Sequence, residues 1–443
     1  MKIAIIGAGF TGLSAAYELV KNGHEVTVFE KDTQPGGLAI GFKEKEWDWT
    51  FEKHYHHWFT NKMDAVNHDQ SVLNLAREIG HKVLIRRPKT CVYVNGKIYQ
   101  FDGPKEILTF PELTVMERLR MAAVAGFIRY NPFWQPLEKI NAATFLPKTM
   151  GEKAYKMLWE PQLVNKFGKT ADDVSLAWFW ARLASRTPSL AYPEGGYLAF
   201  AKHLVKIIEK KGGKVLLNTE ILEVKDDGNK VTTTYNSSSL SLRADGQPTT
   251  SKRETFDKVI FTLPSFLFLK ALPQLPESYR KKFHRLKSLG ATNLVLRLKK
   301  PFLPNDTYWL SICDPKAPIM VIAEHTNFMD KKHYNNEHLV YLGNYLMQDD
   351  PRFIMNKEEK LKLFEPFLKQ INPDYKKHLI GTELFKAPFA QPVIPTNYSR
   401  MIPSMITPLK NVFLANIDQV YPWDRGTSNA VYLGKKVAEL VQK

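Results

Sequence analysis

The pattern of apolar and polar positions predicts a β-strand, an α-helix and a second β-strand within the first thirty residues. A β-branched run from Lys2 to Ile6 leads into a glycine-rich turn, and Leu13 to Lys21 follows the spacing of a helix. A second β-branched run then ends at Glu30. This order predicts that the chain opens with a unit of the Rossmann type.

The turn between the first strand and the helix has the spacing G-x-G-x-x-G, formed by Gly7, Gly9 and Gly12. Gly7 permits a tight turn, Gly9 lets the backbone approach a pyrophosphate, and Gly12 lets the helix pack close to the strand. The helix N-terminus offers free N–H groups to phosphates, and Glu30 can accept hydrogen bonds from a ribose diol. A glycine triplet alone is a weak signal, but here the strand, helix and acid are in register. We therefore expect a bound dinucleotide.

The rest of the chain alternates helical and extended patterns. A hairpin is predicted over 92–101, with its turn at Asn95-Gly96. The polar stretch from Ser237 to Glu254 is predicted to be an exposed loop inserted in a hairpin. Helices are predicted over 71–79, 113–130, 151–187, 198–211 and 431–441, and strands over 214–217, 221–224, 259–264, 293–298, 320–324, 339–345 and 411–416.

The composition narrows the class of protein. A length of 443 residues predicts two or three domains, and an apolar fraction of 44% excludes a disordered chain. The formal net charge of +17 is compatible with an anionic substrate or an acidic membrane surface. The lysines are spread along the chain and do not form one cluster. A generally lysine-rich composition is therefore favoured over a binding function as the explanation of the charge. Because no interleaved basic–aromatic motif typical of nucleic-acid-binding proteins appears, nucleic-acid binding is not expected.

Cysteine usage and hydropathy indicate where in the cell the protein is expected. Cys91 and Cys313 are far apart and form no C-x-x-C, so neither a disulfide framework nor a zinc site is indicated. No apolar run approaches the ~18 residues that a membrane span needs. We expect a cytoplasmic protein, with peripheral contact at the inner face of the membrane as the alternative. The basic helix predicted over 113–130 could lie on a membrane, although such helices more often cover a domain surface.

Histidines concentrate in one segment, 47–61, together with tryptophan, tyrosine and phenylalanine. Metal binding is not expected, because no second group of ligands stands at conventional spacing. Two interpretations remain open for the histidines: they form an active-site wall, or they are satisfied structural residues.

Three further stretches complete the pattern: Gly36-Gly37, Gly195-Gly196 and the segment 416–430. With the opening motif, they resemble the FAD-binding amine oxidase superfamily over nearly the whole chain. That group includes flavin amine oxidases, protoporphyrinogen oxidases, phytoene-type desaturases and, more distantly, UDP-galactopyranose mutases. The resemblance implies FAD as cofactor, contacted by Gly7, Gly9, Phe10, Thr11, Gly12, Glu30, Lys31, Gly36, Gly37, Leu38, Ile221, Asn416, Asp424, Gly426, Thr427, Asn429 and Ala430.

The implied fold class is α/β, a two-domain flavoprotein with a Rossmann-type FAD-binding domain and an α+β substrate domain. The FAD-binding domain is expected to be discontinuous, over 1–85, 193–268 and 405–443. The substrate-binding domain is expected over 86–192 and 269–404, with a helical part at about 105–190.

The chain departs from the simple amine oxidases at several positions. Those enzymes carry a lysine near the flavin N5 where this chain has Asn293, and an aromatic residue where it has Thr427. The Arg usual before the second glycine pair is replaced by Gln34-Pro35. The stretch 56–61 is similar to the H-x-aromatic-x-T-N segment of UDP-galactopyranose mutases, whereas 421–426 resembles the desaturase and oxidase branch.

We expect a flavoenzyme that transfers a hydride from an organic substrate to the flavin N5. His56 or His57 is the candidate for polarising or deprotonating the substrate, because imidazole titrates near working pH. Arg425 and Asp424 are second candidates, with structural pairing at the edge of the flavin as the alternative. The substrate is expected to be a small molecule, either anionic or apolar. The alternatives are a redox-neutral sugar-nucleotide mutase and a peripheral-membrane FAD protein without turnover.

Overall fold

The computed structural model describes residues 1–60, 70–237 and 251–443. Its strands are β1 (Lys2–Ile6), β2 (Glu25–Phe29), β3 (Gly41–Phe42), β4 (Phe51–Glu52), β5 (Trp58–Phe59), β6 (Val83–Arg86), β7 (Lys89–Val94), β8 (Lys97–Gln100), β9 (Leu190–Pro193), β10 (Lys214–Leu216), β11 (Thr219–Asp226), β12 (Val231–Ser237), β13 (Lys252–Phe256), β14 (Lys258–Phe261), β15 (Ser288–Leu298), β16 (Thr307–Ile312), β17 (Val321–Glu324), β18 (His338–Leu346), β19 (Leu379–Pro392) and β20 (Val412–Leu414).

The helices are α1 (Phe10–Lys21), α2 (Ser71–Glu78), α3 (Pro104–Leu108), α4 (Val115–Tyr130), α5 (Ala142–Met150), α6 (Glu152–Ala154), α7 (Glu160–Phe167), α8 (Leu176–Ala184), α9 (Tyr197–Lys210), α10 (Ser265–Ala271), α11 (Glu277–Arg280), α12 (Pro351–Ile354), α13 (Lys357–Ile371) and α14 (Thr427–Val441).

A five-stranded parallel sheet carries the opening motif, in the order β10-β2-β1-β14-β20. Its strands are apolar along their length because helices cover the sheet. In β1, every residue from Ile3 onward is buried. Helices α1 and α14 pack against one another beside this sheet. The sheet therefore has the Rossmann-type order that the first thirty residues predicted, and its strands come from three separate stretches of chain.

A seven-stranded sheet forms the second body of structure, in the order β19-β15-β18-β17-β16-β7-β8. Its pairs are antiparallel except for β16 with β7. Helices α3 to α8 form a helical layer with its own buried core, which includes Trp159, Phe167 and Trp178. The predicted α/β class is confirmed, whereas the domain boundaries stay a prediction.

Most predicted elements are present, including the hairpin of β7 and β8 around Asn95-Gly96. Two helices begin earlier than predicted: α1 starts at Phe10, and α14 starts at Thr427. The sequence pattern missed these first turns because their residues are not spaced like an apolar stripe. Their position matters because both turns lie at the candidate cofactor site.

The predicted polar loop lies partly outside the described residues, at 238–250. Its flanks β12 and β13 are antiparallel, as a hairpin requires, but β13 begins at Lys252, inside the predicted loop. Both cysteines are buried and free. Within the described ranges, no helix is long and apolar enough to cross a membrane.

Candidate active site

The glycine turn after β1 is shaped by close backbone contacts. Gly7 has φ +106°, and a Cβ there would lie 2.6 Å from the Thr262 hydroxyl. A Cβ at Gly12 would overlap the Gly7 carbonyl oxygen. Both glycines are therefore required by the protein's own packing, which brings the first turn of α1 against the end of β1.

Glu30 lies buried at the tip of β2, where the sequence placed the ribose-binding acid. Its carboxylate accepts hydrogen bonds from the backbone N–H of Ala8 at 2.8 Å and of Asp32 at 2.9 Å. Burial raises the pKa of Glu30, and the two N–H donors oppose the shift. Lys31, next in the chain, is exposed. The carboxylate is thus held in place and keeps further acceptor capacity for a ligand.

The family resemblance implies that Ile221 lies near the adenine of FAD. This residue belongs to β11, whose first residue Thr219 donates its backbone N–H to the Glu30 carbonyl at 2.8 Å. The Ile221 side chain packs against a core cluster behind the sheet. The structure thus places Ile221 beside the Glu30 end of the motif, and its contact with the adenine stays a prediction.

The second glycine pair folds back onto the first motif. Gly36 donates its backbone N–H to the Ala8 carbonyl at 2.8 Å, and a Cβ at Gly37 would lie 3.1 Å from the Gly9 Cα. Gly9 itself has space for a Cβ, whose nearest neighbour would be 3.8 Å away. The two motifs therefore form one continuous backbone cradle, and the space above Gly9 is not filled by protein.

Helix α1 begins on this cradle, α14 packs against α1 through Gly434, and neither helix has a side-chain N-cap. Gly426, just before α14, is extended and has open space where a Cβ would stand. The N–H groups of a first helical turn have no partner within the helix, so these two ends can bind anionic or polar groups. A nucleotide's pyrophosphate and the polar edge of a flavin fit these donors, so the residues present suit FAD.

Two predicted cofactor residues are engaged elsewhere through their side chains. The Phe10 ring stacks on Phe200 with centroids 5.4 Å apart, so only its backbone is available at the cradle. The Asn416 amide bonds to the Leu263 carbonyl at 3.1 Å and to the Ser265 hydroxyl at 3.0 Å. Asn416 therefore joins the ends of β14 and β20.

Other predicted residues lie around the start of α14. Thr427 and Asn429 are buried, and the Asn429 amide donates to the Asp424 carbonyl at 2.9 Å. Ala430 is half-buried in the first turn. Thr11 packs under Gly434 of α14, so it connects the two helices.

The histidine segment lies beside the same site. A small cavity is bounded by Leu38, His54, His56, Asn293 and Arg425, among others. It thus brings together the residue that follows the second glycine pair, two of the histidines and the position where amine oxidases carry a lysine. Asn61, the last residue of the mutase-like stretch, lies outside the described residues.

Each histidine of this segment has one defined partner. His56 Nδ1 lies 2.6 Å from the His54 carbonyl oxygen, which can only accept, so Nδ1 carries the hydrogen and Nε2 keeps a lone pair. His57 Nδ1 is 3.0 Å from the Tyr308 hydroxyl, and His54 Nδ1 is 2.6 Å from the Asn293 amide nitrogen.

Burial lowers the pKa of all three imidazoles: that of His56 to about 4, and those of His54 and His57 to about 3. The expectation that these imidazoles titrate near working pH is wrong, because a charged imidazole is disfavoured once its hydration is lost. They are neutral at pH 7. A role as catalytic residues stays a prediction, but it must be the role of a neutral imidazole.

Asp424 and Arg425 do not pair with each other through their side chains. The Asp424 carboxylate binds the Lys166 ammonium at 3.1 Å, and Arg425 donates to the Gln391 side chain at 3.0 Å and lies over the Tyr345 ring at 4.9 Å. Burial opposes ionisation of Asp424, but the charges of Lys166 and Arg182 and the hydrogen bond from Gln391 together outweigh it, so the pKa of Asp424 is lowered. Arg425 is therefore held by an aromatic ring and an amide.

A cavity of about 700 Å³ opens from the start of α14 between the seven-stranded sheet and the helices α4 and α8. Its walls combine aromatic rings with an excess of cationic side chains. The lining includes Tyr55, His56, His57, Asp102, Arg129, Trp159, Lys166, Arg182, Arg186, Tyr308, Trp309, Tyr345, Asp424, Arg425, Thr427, Ser428 and Asn429.

Sequence reasoning missed Lys166, Arg182 and Arg186 as residues of this cavity. They lie in or after helices of the helical layer, where lysine and arginine are common and give no motif. Burial lowers the pKa of Lys166 to about 7, although the Asp424 carboxylate opposes the shift. Among the described residues, no group of three or more histidine, cysteine or carboxylate side chains is arranged to hold a metal ion.

The family model for flavin-containing amine oxidoreductases matches residues 10–441, so the chain belongs to that family. It is a flavin-dependent oxidoreductase, and its cofactor is FAD. The predicted resemblance, fold class and cofactor are thereby confirmed.

Two relatives show where sequence similarity lies. An inactive all-trans-retinol 13,14-reductase from Danio rerio is 26% identical over 256 residues, which are 51% of this chain and 42% of that protein. A 4,4'-diapophytoene desaturase from Staphylococcus aureus is 65% identical over 44 residues, 10% of this chain and 9% of that protein. The chain thus spans less than half of the length of either relative.

Solved structures share the fold over the whole chain. Putrescine oxidase bound to putrescine has a TM-score of 0.74 at 15% identity, covering 100% of this chain and 99% of that one. Reduced UDP-galactopyranose mutase has a TM-score of 0.74 at 14% identity, covering 100% and 95%. Identities this low establish the fold and leave the reaction open.

Proposed function

We propose that the protein oxidises a small organic molecule by removing a hydride from one of its C–H bonds. The observation that carries this proposal is one continuous cavity of about 700 Å³, which reaches from the first turn of α14 to the histidine segment and to α4 and α8. When bound, FAD supplies the hydride acceptor. The chain itself supplies the enclosure, the orientation of the substrate and the electrostatics.

The aromatic wall of the cavity excludes water from the reacting bond. Tyr55 lies edge-on to Trp309 with centroids 5.1 Å apart, and His57 is also edge-on to Trp309 at 5.7 Å. Such packed rings leave little freedom to either side chain. A substrate with a flat or apolar body fits this wall.

His56 is proposed to orient the substrate. Its Nδ1–H is held by the His54 carbonyl, so the Nε2 lone pair is directed by a fixed ring. A neutral imidazole can accept a hydrogen bond from a substrate N–H or O–H and receive that proton as the C–H bond breaks. Because the pKa of His56 is about 4, the imidazole would pass such a proton on to solvent water and return to its neutral form.

Arg425 is proposed to supply a fixed positive charge next to the start of α14. Its guanidinium is oriented by Gln391 and by the Tyr345 ring. A charge that is already in place lowers the reorganisation needed when negative charge develops at that end of the cavity.

The test is anaerobic mixing of the oxidised holoprotein with amines, porphyrinogens, polyenes and UDP-sugars. Bleaching of the visible flavin absorbance by one class supports the proposal and identifies the substrate class. Failure of every class to bleach it, with intact FAD content, argues against the proposal.

A redox-neutral sugar-nucleotide mutase is the second candidate. The observation that favours it is the cationic lining of the cavity, which suits a diphosphate, together with the mutase-like stretch that begins at His56. This candidate predicts turnover of UDP-sugars only after reduction of the protein with dithionite or NAD(P)H. The oxidised protein would then show no reaction with any substrate.

We also propose peripheral contact with a membrane through α4. The side chains of Met116, Phe127 and Tyr130 of α4, and of Phe133 just after it, are largely exposed, and α4 also lines the cavity. Exposed aromatics beside basic residues are typical of helices that lie at a lipid surface. Co-sedimentation with anionic liposomes tests this contact, and replacement of Phe127 and Phe133 by serine should abolish it.

A further inference from the structure

Three arginines converge at the end of α8. Arg182 lies in its last turn, Arg186 follows two residues after the helix, and Arg129 reaches across from α4. All three line the large cavity and are half-buried. We call this group the α8 arginine cluster.

The three side chains are held in different ways. Arg129 donates to the backbone carbonyls of Leu183 and, at 2.8 Å, of Arg186. Arg182 lies over the Trp178 ring at 5.7 Å. No ion pair joins a carboxylate of the described residues to any of the three guanidinium groups.

The acids of the cavity compensate this charge only in part, through the charge of Asp424. Five cationic side chains line the cavity, against the two carboxylates of Asp102 and Asp424. Asp424 is engaged by Lys166 at 3.1 Å, and Asp102 accepts from Gln100 at 3.0 Å. A buried charge without an ion-pair partner is costly, so the three half-buried arginines favour binding of an anion.

The electrostatic response of the cluster agrees with this geometry. Burial, together with the positive charges of Arg182 and Arg129, lowers the pKa of Arg186 to about 9, although the charge of Asp424 opposes the shift. The protein therefore holds like charges together away from water, where an oxyanion would stabilise all of them.

We propose that the α8 arginine cluster is a subsite for an oxyanion of the substrate, a carboxylate or a phosphate. This rests on the proposed function, because the subsite belongs to the same cavity. Arg182 and Arg186 bind the oxyanion through their planar guanidinium groups, and Arg129 adds its charge from the wall. The substrate is thus an amphipathic molecule, with an anionic end at α8 and an oxidisable part toward α14.

The experiment measures thermal unfolding of the FAD-saturated holoprotein with inorganic phosphate, with succinate, and with succinamide as the neutral analogue of succinate. Sodium chloride matches the ionic strength. The variants are Arg182→Gln and Arg186→Gln. Arg400→Gln is the matched control, because Arg400 is exposed and lies outside the cavity lining. Saturation with FAD keeps phosphate from the cofactor cradle.

A ligand that binds only the native state raises the melting temperature of the protein by mass action. We expect phosphate or succinate to raise it in the wild type and in Arg400→Gln, and succinamide to have no effect. The shift should be absent in both cavity variants, with FAD content unchanged. A response to phosphate alone indicates a phosphate ester, and a response to succinate alone indicates a carboxylate.

The proposal is overturned if neither oxyanion exceeds sodium chloride, or if the shift persists in Arg186→Gln. Loss of FAD by a cavity variant would mean that the arginine serves the cofactor site, which also contradicts the proposal. Oxyanion binding by a protein that no substrate reduces would refute the proposed function and leave the subsite standing. The two proposals can therefore fail separately.

Discussion

Two glycines of the cofactor cradle, Gly12 and Gly9, differ in whether the protein itself leaves room for a side chain. At Gly12 a Cβ would overlap the Gly7 carbonyl oxygen, so the protein's own backbone requires glycine. At Gly9 the nearest atom to a Cβ would be 3.8 Å away, an ordinary contact. The protein's own packing does not require glycine at position 9, so we propose that Gly9 serves the ligand, and substitution can separate the two functions.

Gly9→Ala should leave the fold intact and weaken FAD binding. We expect an apoprotein stability within about 0.5 kcal/mol of the wild type, and a rise in the FAD dissociation constant of at least about tenfold. Gly381→Ala is the control, because Gly381 also has room for a Cβ but lies on β19. Fluorescence titration of the apoprotein with FAD measures the affinity of both variants, and urea unfolding measures their stability. Equal affinity in the two variants would contradict a pyrophosphate above Gly9.

Glu52 is a fully buried carboxyl with neutral partners. It accepts from the Tyr192 hydroxyl at 2.7 Å and from the Tyr197 backbone N–H at 2.9 Å. Burial raises its pKa to about 7, and these hydrogen bonds limit the shift. Gly196 passes so close that a Cβ there would lie 3.1 Å from the Glu52 carboxylate.

Glu52 should make the protein less stable as pH rises from about 4.5 to 7. In that window the folded state keeps the proton and the unfolded chain has released it, so stability falls by up to ~3 kcal/mol. Glu52→Gln should lack this loss. Urea unfolding at about pH 5 and pH 8 measures the difference, with exposed Glu46→Gln as the control. Parallel pH dependence in the wild type and in Glu52→Gln would refute this assignment.

His56 should stay neutral and carry its hydrogen on Nδ1 throughout the working range. The buried ring has a pKa of about 4 and donates to a carbonyl. Imidazole ¹⁵N shifts of the holoprotein, assigned by comparison with His56→Gln, should therefore not change between about pH 8 and pH 5.5. Titration near the ordinary histidine pKa of ~6.5 would contradict the buried geometry.

Sequence alone predicted which residue types matter and could not predict their state. Gly7, Gly9, Gly12 and Glu30 belong to one local unit of the chain, so their spacing is sufficient to predict that unit. The pKa of His56 depends instead on burial by side chains that are distant in the sequence, such as Tyr197, whose ring lies 5.2 Å from the imidazole. No local pattern contains that information.

Helices α1 and α14 pack closely against each other beside the cradle. Gly434 of α14 faces α1 so closely that a Cβ would overlap the Thr11 carbonyl oxygen. Such contact fixes the relative position of two first turns that the chain supplies from opposite ends. The sequence indicated both helices but began each too late, because their first turns follow the needs of the cradle rather than an apolar stripe.

Gly434→Ala should separate α1 from α14. Overpacking of a close contact costs about 1–3 kcal/mol, and we expect FAD affinity to fall with stability because both first turns shift. Gly126→Ala is the control, since Gly126 in α4 has nothing within 4 Å of a Cβ. Urea unfolding and FAD titration provide the two readouts. A stable Gly434→Ala protein with unchanged FAD affinity would show that the helices adjust independently.

Across the whole molecule, the candidate site is assembled from segments that are remote in the chain. Lys166 and Asp424 meet across 258 positions, and Asn293 meets His54 across 239. The sequence predicted the cofactor and the α/β class because their motifs are local. It did not predict the cationic cavity, because Arg182 and Arg186 look like ordinary basic residues until the fold places them on one wall.

We propose that the oxidised protein removes a hydride from a C–H bond of its substrate. The rate of anaerobic flavin bleaching with the active substrate class tests this step, when the protiated substrate is compared with one deuterated at the reacting carbon. We expect stoichiometric bleaching that is slowed severalfold by deuterium. Isomerisation of UDP-sugars by the reduced protein, with no substrate able to bleach the oxidised form, would contradict it.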